Sequence, residues 1–129
     1  MDDTTRLQSC IDACNACATA CSHCATACLK EKDVAMMARC IALDMDCAAI
    51  CQLAAAAMAR SSENMHLFCG LCEDICGRCG DECARHQHAH CRACAEACRR
   101  CADECRRMSS DATPPARTLA GGPAAYTRP

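Results

Sequence analysis

Large side chains are nearly missing from this chain of 129 residues: aromatics make up 2%, with Phe68 and Tyr126 alone and no tryptophan. A core without them buries little area per residue. At roughly 25 cal/mol per Å² of apolar surface, alanine and cysteine stabilise a fold far less than leucine does. A metal-free form is therefore expected to be marginal unless something fills or cross-links its interior. A basic excess is missing too, since 14 Lys and Arg stand against 16 Asp and Glu, a net charge of −2. That balance gives no sign of a nucleic-acid partner. Arg99, Arg100, Arg106 and Arg107 cluster late in the chain and read as a solvated face complementing a helix C-terminus. Residues 1–6 are acidic and polar with no apolar stretch behind them, so no secretory leader is expected. No run of 18 consecutive apolar residues occurs, so no membrane span is expected either. Both absences point to the cytoplasm, where thiols are kept reduced.

What the chain has instead is 19 cysteines. Cys10, Cys14, Cys17, Cys21, Cys24 and Cys28 form one run. Cys69, Cys72, Cys76, Cys79 and Cys83 form a second, and Cys91, Cys94, Cys98, Cys101 and Cys105 a third. Intervals alternating between three and four mark the inward seam of a helix packed on other helices. Sulfur occupies the positions that leucine or isoleucine normally fills.

The predicted fold is all-α: an antiparallel, up-down-up-down four-helix bundle over residues 1–108, its core lined by cysteine. Asp3, Thr4 and Thr5 are candidate caps for a first helix over about 4–30, and Asp33 for a second over about 33–60. The third is expected over about 63–86 and the fourth over about 88–108. Continuing the third helix's seam past Cys83 reaches His86 and His90, yet the next cysteine is Cys91. The register slips by one there, which places a hairpin across residues 86–90. From residue 109 to 129 the chain turns rich in Pro and Gly and reads as a tail without a core of its own.

The second helix differs from the others. Its seam is Met37, Cys40, Asp44, Cys47, Cys51, Ala54 and Met58, and Met36, Ile41, Leu43, Ala48, Ile50 and Leu53 make it apolar nearly all round. A helix of that kind is usually buried on two sides, so it is the candidate subunit interface.

Buried thiols as plain hydrophobes account for one or two cysteines in a protein, not for a whole seam. Disulfides fit poorly, because the cysteine number is odd and Cβ atoms three or four residues apart on a helix lie roughly 5–6 Å apart. Soft metal remains. Six Cys-x-x-Cys pairs lie in register: Cys14/Cys17, Cys21/Cys24, Cys69/Cys72, Cys76/Cys79, Cys91/Cys94 and Cys98/Cys101. Thiolates select Cu(I), zinc or iron–sulfur clusters. A zinc–Cys₄ site carries a net −2, and several stacked in a dry core would repel. Monovalent Cu(I) shared between bridging thiolates approaches one metal per cysteine and a neutral core. Iron–sulfur cysteines usually come from loops around a discrete cluster. The reading is a bundle that sequesters many Cu(I) ions per monomer. A zinc or broad soft-metal buffer is the alternative. A thiol oxidoreductase is a further one, although its Cys-x-x-Cys normally opens a helix after a strand, and these pairs lie mid-helix with no strand signal.

An alanine-rich four-helix pattern with inward cysteine seams and a His-rich 3–4 hairpin resembles the bacterial copper storage proteins over about residues 4–108. Lacking a leader, it is similar to their cytosolic branch. The resemblance implies storage rather than catalysis, and a homotetramer of bundles each holding many Cu(I) ions. Copper arriving from a chaperone or a small-molecule thiol is the expected partner traffic.

All 19 cysteines, including Cys40, Cys47 and Cys51, are candidate ligands. At the end where the 1–2 and 3–4 links meet, Cys28, Met37, Cys83, His86, His90 and Cys91 close the core. His86 and His90 are further candidate ligands, because imidazole and thiolate both bind borderline and soft metals. Met37 and His88 are secondary candidates there. Asp44, at a seam position level with Cys21, supplies either an oxygen ligand or a hydrogen bond near the metal, since a lone buried carboxylate is costly. Leu7, Met58, Met65 and Met108 occupy the opposite end and read as an apolar plug, so copper is expected to enter at the histidine end. His23, on the outer face, and His66, beside the seam, are expected to be bystanders.

Overall fold

The computed structural model describes residues 3–110, and the expected tail lies almost wholly outside that range. Four α-helices account for most of it: α1 (Asp3–Leu29), α2 (Ala38–Ala59), α3 (Met65–Cys83) and α4 (Ala89–Ser110), with a 3₁₀ turn over Val34–Met37 leading into α2. Each helix packs on its chain neighbour and α1 closes the ring against α4. Backbones of diagonally opposite helices stay apart, and thiols cross the gap, with Sγ atoms 4.0 Å apart for Cys17 and Cys76 and 3.9 Å for Cys47 and Cys98.

Helix ends depart from the expected ranges in instructive ways. Asp3, Thr4 and Thr5 lie inside the first turn of α1 rather than ahead of it. Asp33 does stand at an N-cap, but of the 3₁₀ turn, and its side chain makes no capping bond; its carboxylate faces His88 instead. At the far end of α2, Ser61 adopts φ 54°, its N–H donates to Met58 O (3.1 Å), and the Ser62 N–H donates to Ala57 O (2.8 Å). That pair of bonds is a Schellman ending, in which the left-handed position favours glycine. The break between α3 and α4 falls earlier than the register slip suggests. α3 stops at Cys83 and the turn occupies 84–88, leaving His90 already inside α4.

Small residues let the helices approach closely. A Cβ built on Gly80 would lie 3.2 Å from the Cβ of Cys98 and 3.6 Å from Ala95 O, so α3 and α4 meet where only glycine fits without adjustment. Buried Ala13, Ala18, Ala48, Ala55 and Ala95 flank the seams. All 19 cysteines are free and fully buried. The stretch Val34–Ala59 is long and apolar enough to cross a membrane by length and composition, with a mean hydropathy of 1.6. Charged Arg39, Asp44 and Asp46 interrupt it, which is why no consecutive apolar run was expected. Much of its apolar surface packs against α1 and α3. The remainder faces outward, with Met45 and Leu53 exposed and Ile41, Leu43 and Ile50 half-buried.

Candidate metal centre

Because the helical repeat stacks side chains three and four residues apart on one face, the four seams deliver their thiols to a single axial column. Next to the plug, Cys10 lies 3.8 Å and Cys14 3.7 Å from Cys105, and Cys69 lies beside Cys10. Cys101 then meets Cys14 at 3.6 Å and Cys51 at 3.8 Å. Cys51 reaches Cys72 and Cys76 at 3.6 Å each, and Cys76 meets Cys47 at 3.4 Å. Further along, Cys17 and Cys21 approach Cys98 at 3.8 Å, and Cys94 lies 3.6 Å from Cys21.

These thiols form quartets whose sulfurs all lie within 4.8 Å of one another: Cys14/Cys72/Cys101/Cys105, Cys17/Cys51/Cys76/Cys101, Cys17/Cys21/Cys47/Cys98 and Cys21/Cys79/Cys94/Cys98. Consecutive quartets share corners. Cys101 belongs to the first and second, Cys17 to the second and third, and Cys21 and Cys98 to the third and fourth. A sulfur shared by two sites is positioned to bridge two metals, which isolated tetrahedral sites do not require.

Asp44 interrupts the column with oxygen. Fully buried, it accepts from the Cys79, Cys94 and Cys83 thiols at Oδ1 (3.2, 3.3 and 3.5 Å), and Cys40 lies 3.9 Å from Oδ2. Its neighbours are thus thiols of α2, α3 and α4. Burial pushes its carboxyl up to about 8, because a desolvated carboxylate is the disfavoured form. Cys83 continues the path to Cys40 at 3.5 Å. Cys40 belongs to the terminal quartet with Cys24, Cys28 and Cys91. At this end burial pushes the Cys28 thiol up to about 11, helped by the charge of Cys40, and raises Cys91 as well. Both thiols are therefore protonated at neutral pH before metal binds.

The histidines divide into three kinds. His90 Nδ1 lies 3.4 Å from Cys24 Sγ, 3.6 Å from Cys91 Sγ and 3.9 Å from Cys28 Sγ, so this ring joins the terminal quartet. Its Nε2 donates to Glu31 Oε2 at 2.8 Å. His86 donates through Nε2 to Glu82 Oε2 at 2.8 Å and lies near Cys40. His88 points away from the thiols, with Glu31 3.4 Å from Nδ1 and Asp33 3.3 Å from Nε2, and stacks on His90 with ring centroids 5.3 Å apart. Met37 is fully buried in the core beneath the mouth. At the opposite end Met58 and Met108 are buried and Met65 and Leu7 half-buried. His23 is exposed, and His66 donates from Nδ1 to Met108 O at 2.6 Å.

Three polar residues at the mouth escaped the sequence reading. Glu82 is nearly buried, and although burial works against it, hydrogen bonds from His86 and Arg39 hold its carboxylate below the usual range. Arg39 reaches it at 2.7 Å across α2 and α3. Helical spacing does place Glu82 four residues before His86, a signal that was available. Glu31 meets the histidines only through tertiary folding.

Fold and site together define a helical bundle whose interior is a reservoir of soft-metal donors. The model of the copper storage protein family matches residues 3–110, and the chain belongs to that family. Among solved structures, a Cu(I)-bound copper storage protein is 49% identical, with a TM-score of 0.78 over 81% of this chain and 98% of that one. The apo form of copper storage protein 3 from Bacillus subtilis is also 49% identical, with a TM-score of 0.74 over 79% of this chain and 97% of that one. A cytosolic copper storage protein from Streptomyces lividans carrying five coppers is 42% identical, with a TM-score of 0.81 over 84% of this chain and 96% of that one. No protein of curated function matches.

Proposed function

We propose that this protein stores Cu(I) in the cytosol, many ions per monomer, held by its 19 core cysteines with His90 and His86 at the mouth. The observation that carries the reading is the sharing of Cys17, Cys21, Cys98 and Cys101 between successive quartets. Bridging thiolates suit a monovalent soft ion. They keep the interior near neutrality, whereas separated Zn–Cys₄ sites would each leave −2 in a core that tolerates uncompensated charge poorly. His90 is a ligand in this account, Asp44 an acceptor for the thiols around it, and Met37 and His88 supporting groups. The role is storage rather than catalysis.

The outward apolar strip of α2, with Met45, Leu53 and Ile41, supports self-assembly, and we assign it to a homotetramer. Copper is delivered by a chaperone or a small-molecule thiol at the histidine end, where His86 and His90 lie beside the last thiols. The opposite end is capped by Met58 and Met108. Titration of the reduced protein with Cu(I) and with Zn(II) against chelators of known affinity tests the choice of metal. Strong preference for Cu(I) across all equivalents is expected. Zinc held as tightly, in a few discrete sites, would replace this reading by a zinc buffer.

A further inference from the structure

The mouth histidines are bound by carboxylates in different ways. Glu82 is nearly buried on α3 and already has Arg39 at 2.7 Å and Arg85 at 3.7 Å. Glu31 lies in the link between α1 and the 3₁₀ turn, is partly exposed, and has two imidazoles as partners: His90 at 2.8 Å and His88 at 3.4 Å. A carboxylate oxygen can only accept, so the proton of a neutral His90 must sit on Nε2 to make the 2.8 Å bond. Its Nδ1 then carries the lone pair, and Nδ1 is the atom facing Cys24, Cys28 and Cys91 at 3.4 to 3.9 Å. The ring is thus presented to the thiol quartet as a ready ligand, with its plane further fixed by stacking on His88.

We infer that Glu31 is a positioning residue for copper exchange: it fixes the tautomer and orientation of His90 so that Nδ1 meets an incoming Cu(I) ion beside Cys24, Cys28 and Cys91. A carboxylate behind a ligating histidine raises its basicity as well as aiming it, and losing such a partner typically lowers metal affinity 10–100-fold. Glu31 has a second effect specific to this mouth. Its negative charge lies outside the quartet, beside His90 and His88, so it favours a cation at His90. The link 30–33, which carries no sulfur, thereby contributes to handling the metal.

The inference rests on the copper-storage reading above, and the two fail differently. In the metal-free reduced protein, ¹⁵N NMR of the imidazoles should find neutral His90 as the Nε2–H tautomer, and Glu31→Ala should abolish that preference. Loading from a Cu(I)–chelator complex should slow about tenfold in Glu31→Ala, while the final number of bound ions stays close to wild type. Glu31→Gln, which keeps an acceptor oxygen, should restore the tautomer. Asp33→Asn, which alters only a partner of His88, should leave both readouts unchanged. If His90 keeps its tautomer and loading keeps its rate in Glu31→Ala, the positioning role is wrong. If wild type itself binds only a few ions, the storage reading fails instead.

Discussion

Replacing Asp44 with asparagine changes one buried polar group and should abolish the part of the pH dependence of the metal-free protein's stability that Asp44 contributes. Asp44 is fully buried among Cys40, Cys79, Cys83 and Cys94, and its carboxyl is pushed up to about 8 by burial. In an unfolded chain the same group titrates near about 3.9. Folded protein therefore holds one more proton than unfolded chain between about pH 4 and pH 8, so stability falls as pH rises through that window. The slope is about 1.4 kcal/mol per pH unit, or about 3 kcal/mol between pH 5 and pH 7. Asparagine has the same shape, can still accept from the surrounding thiols, and has no charge to desolvate. Urea unfolding of reduced apo wild type and Asp44→Asn should give similar stabilities only below about pH 4, the variant gaining about 1.5 kcal/mol by pH 5. At pH 7 the variant should be more stable by about 4 kcal/mol. Thiol contributions common to wild type and variant cancel in the difference between the two profiles. Carboxylate–histidine pairs at the mouth affect both proteins alike and cancel in the difference. Parallel pH profiles for the two proteins would show that Asp44 is hydrated or charge-paired in solution, and the burial argument would be wrong.

Further expectations concern the two ends of the bundle. Replacing His86 and His90 with alanine should alter the rates of loading and chelator-driven removal, while capacity falls only by the few ions held at the mouth. Met58→Leu and Met65→Leu preserve an apolar plug of similar volume and should leave those rates nearly unchanged; the opposite pattern, measured by stopped-flow exchange, would place the open end at the methionines. Ser61→Gly should stabilise the apo protein by about 1 kcal/mol in denaturant unfolding, because it removes side-chain strain at the left-handed ending of α2.

Cysteine spacing made the bundle legible because it reports helix phase and burial together: every residue of the three long runs faces the axis. Its one-residue slip signalled the α3–α4 hairpin but misplaced it by about two residues. The slip records a phase, whereas the turn begins at Ala84, after α3 ends at Cys83. The Schellman ending at Ser61 was not readable, since serine gives no hint of a positive φ. Within the site, the seam order gave the level of each thiol but not its cross-helix neighbours. Asp44 was placed by its level on α2, while its partners Cys79, Cys83 and Cys94 depend on how α3 and α4 are rotated and staggered. Asp33 read as a helix cap and Glu31 carried no signal, because only the folded chain brings residue 31 to residue 90.

Metal stoichiometry of the reduced monomer bears most directly on storage in a bridged thiolate column. Saturating Cu(I), followed by gel filtration and quantification of copper and protein, should return on the order of one ion per cysteine, roughly 15–20 per chain, as bridging soft-thiolate ligation implies. Saturation at four or five ions per chain would mean separate Cys₄ sites and would contradict the account.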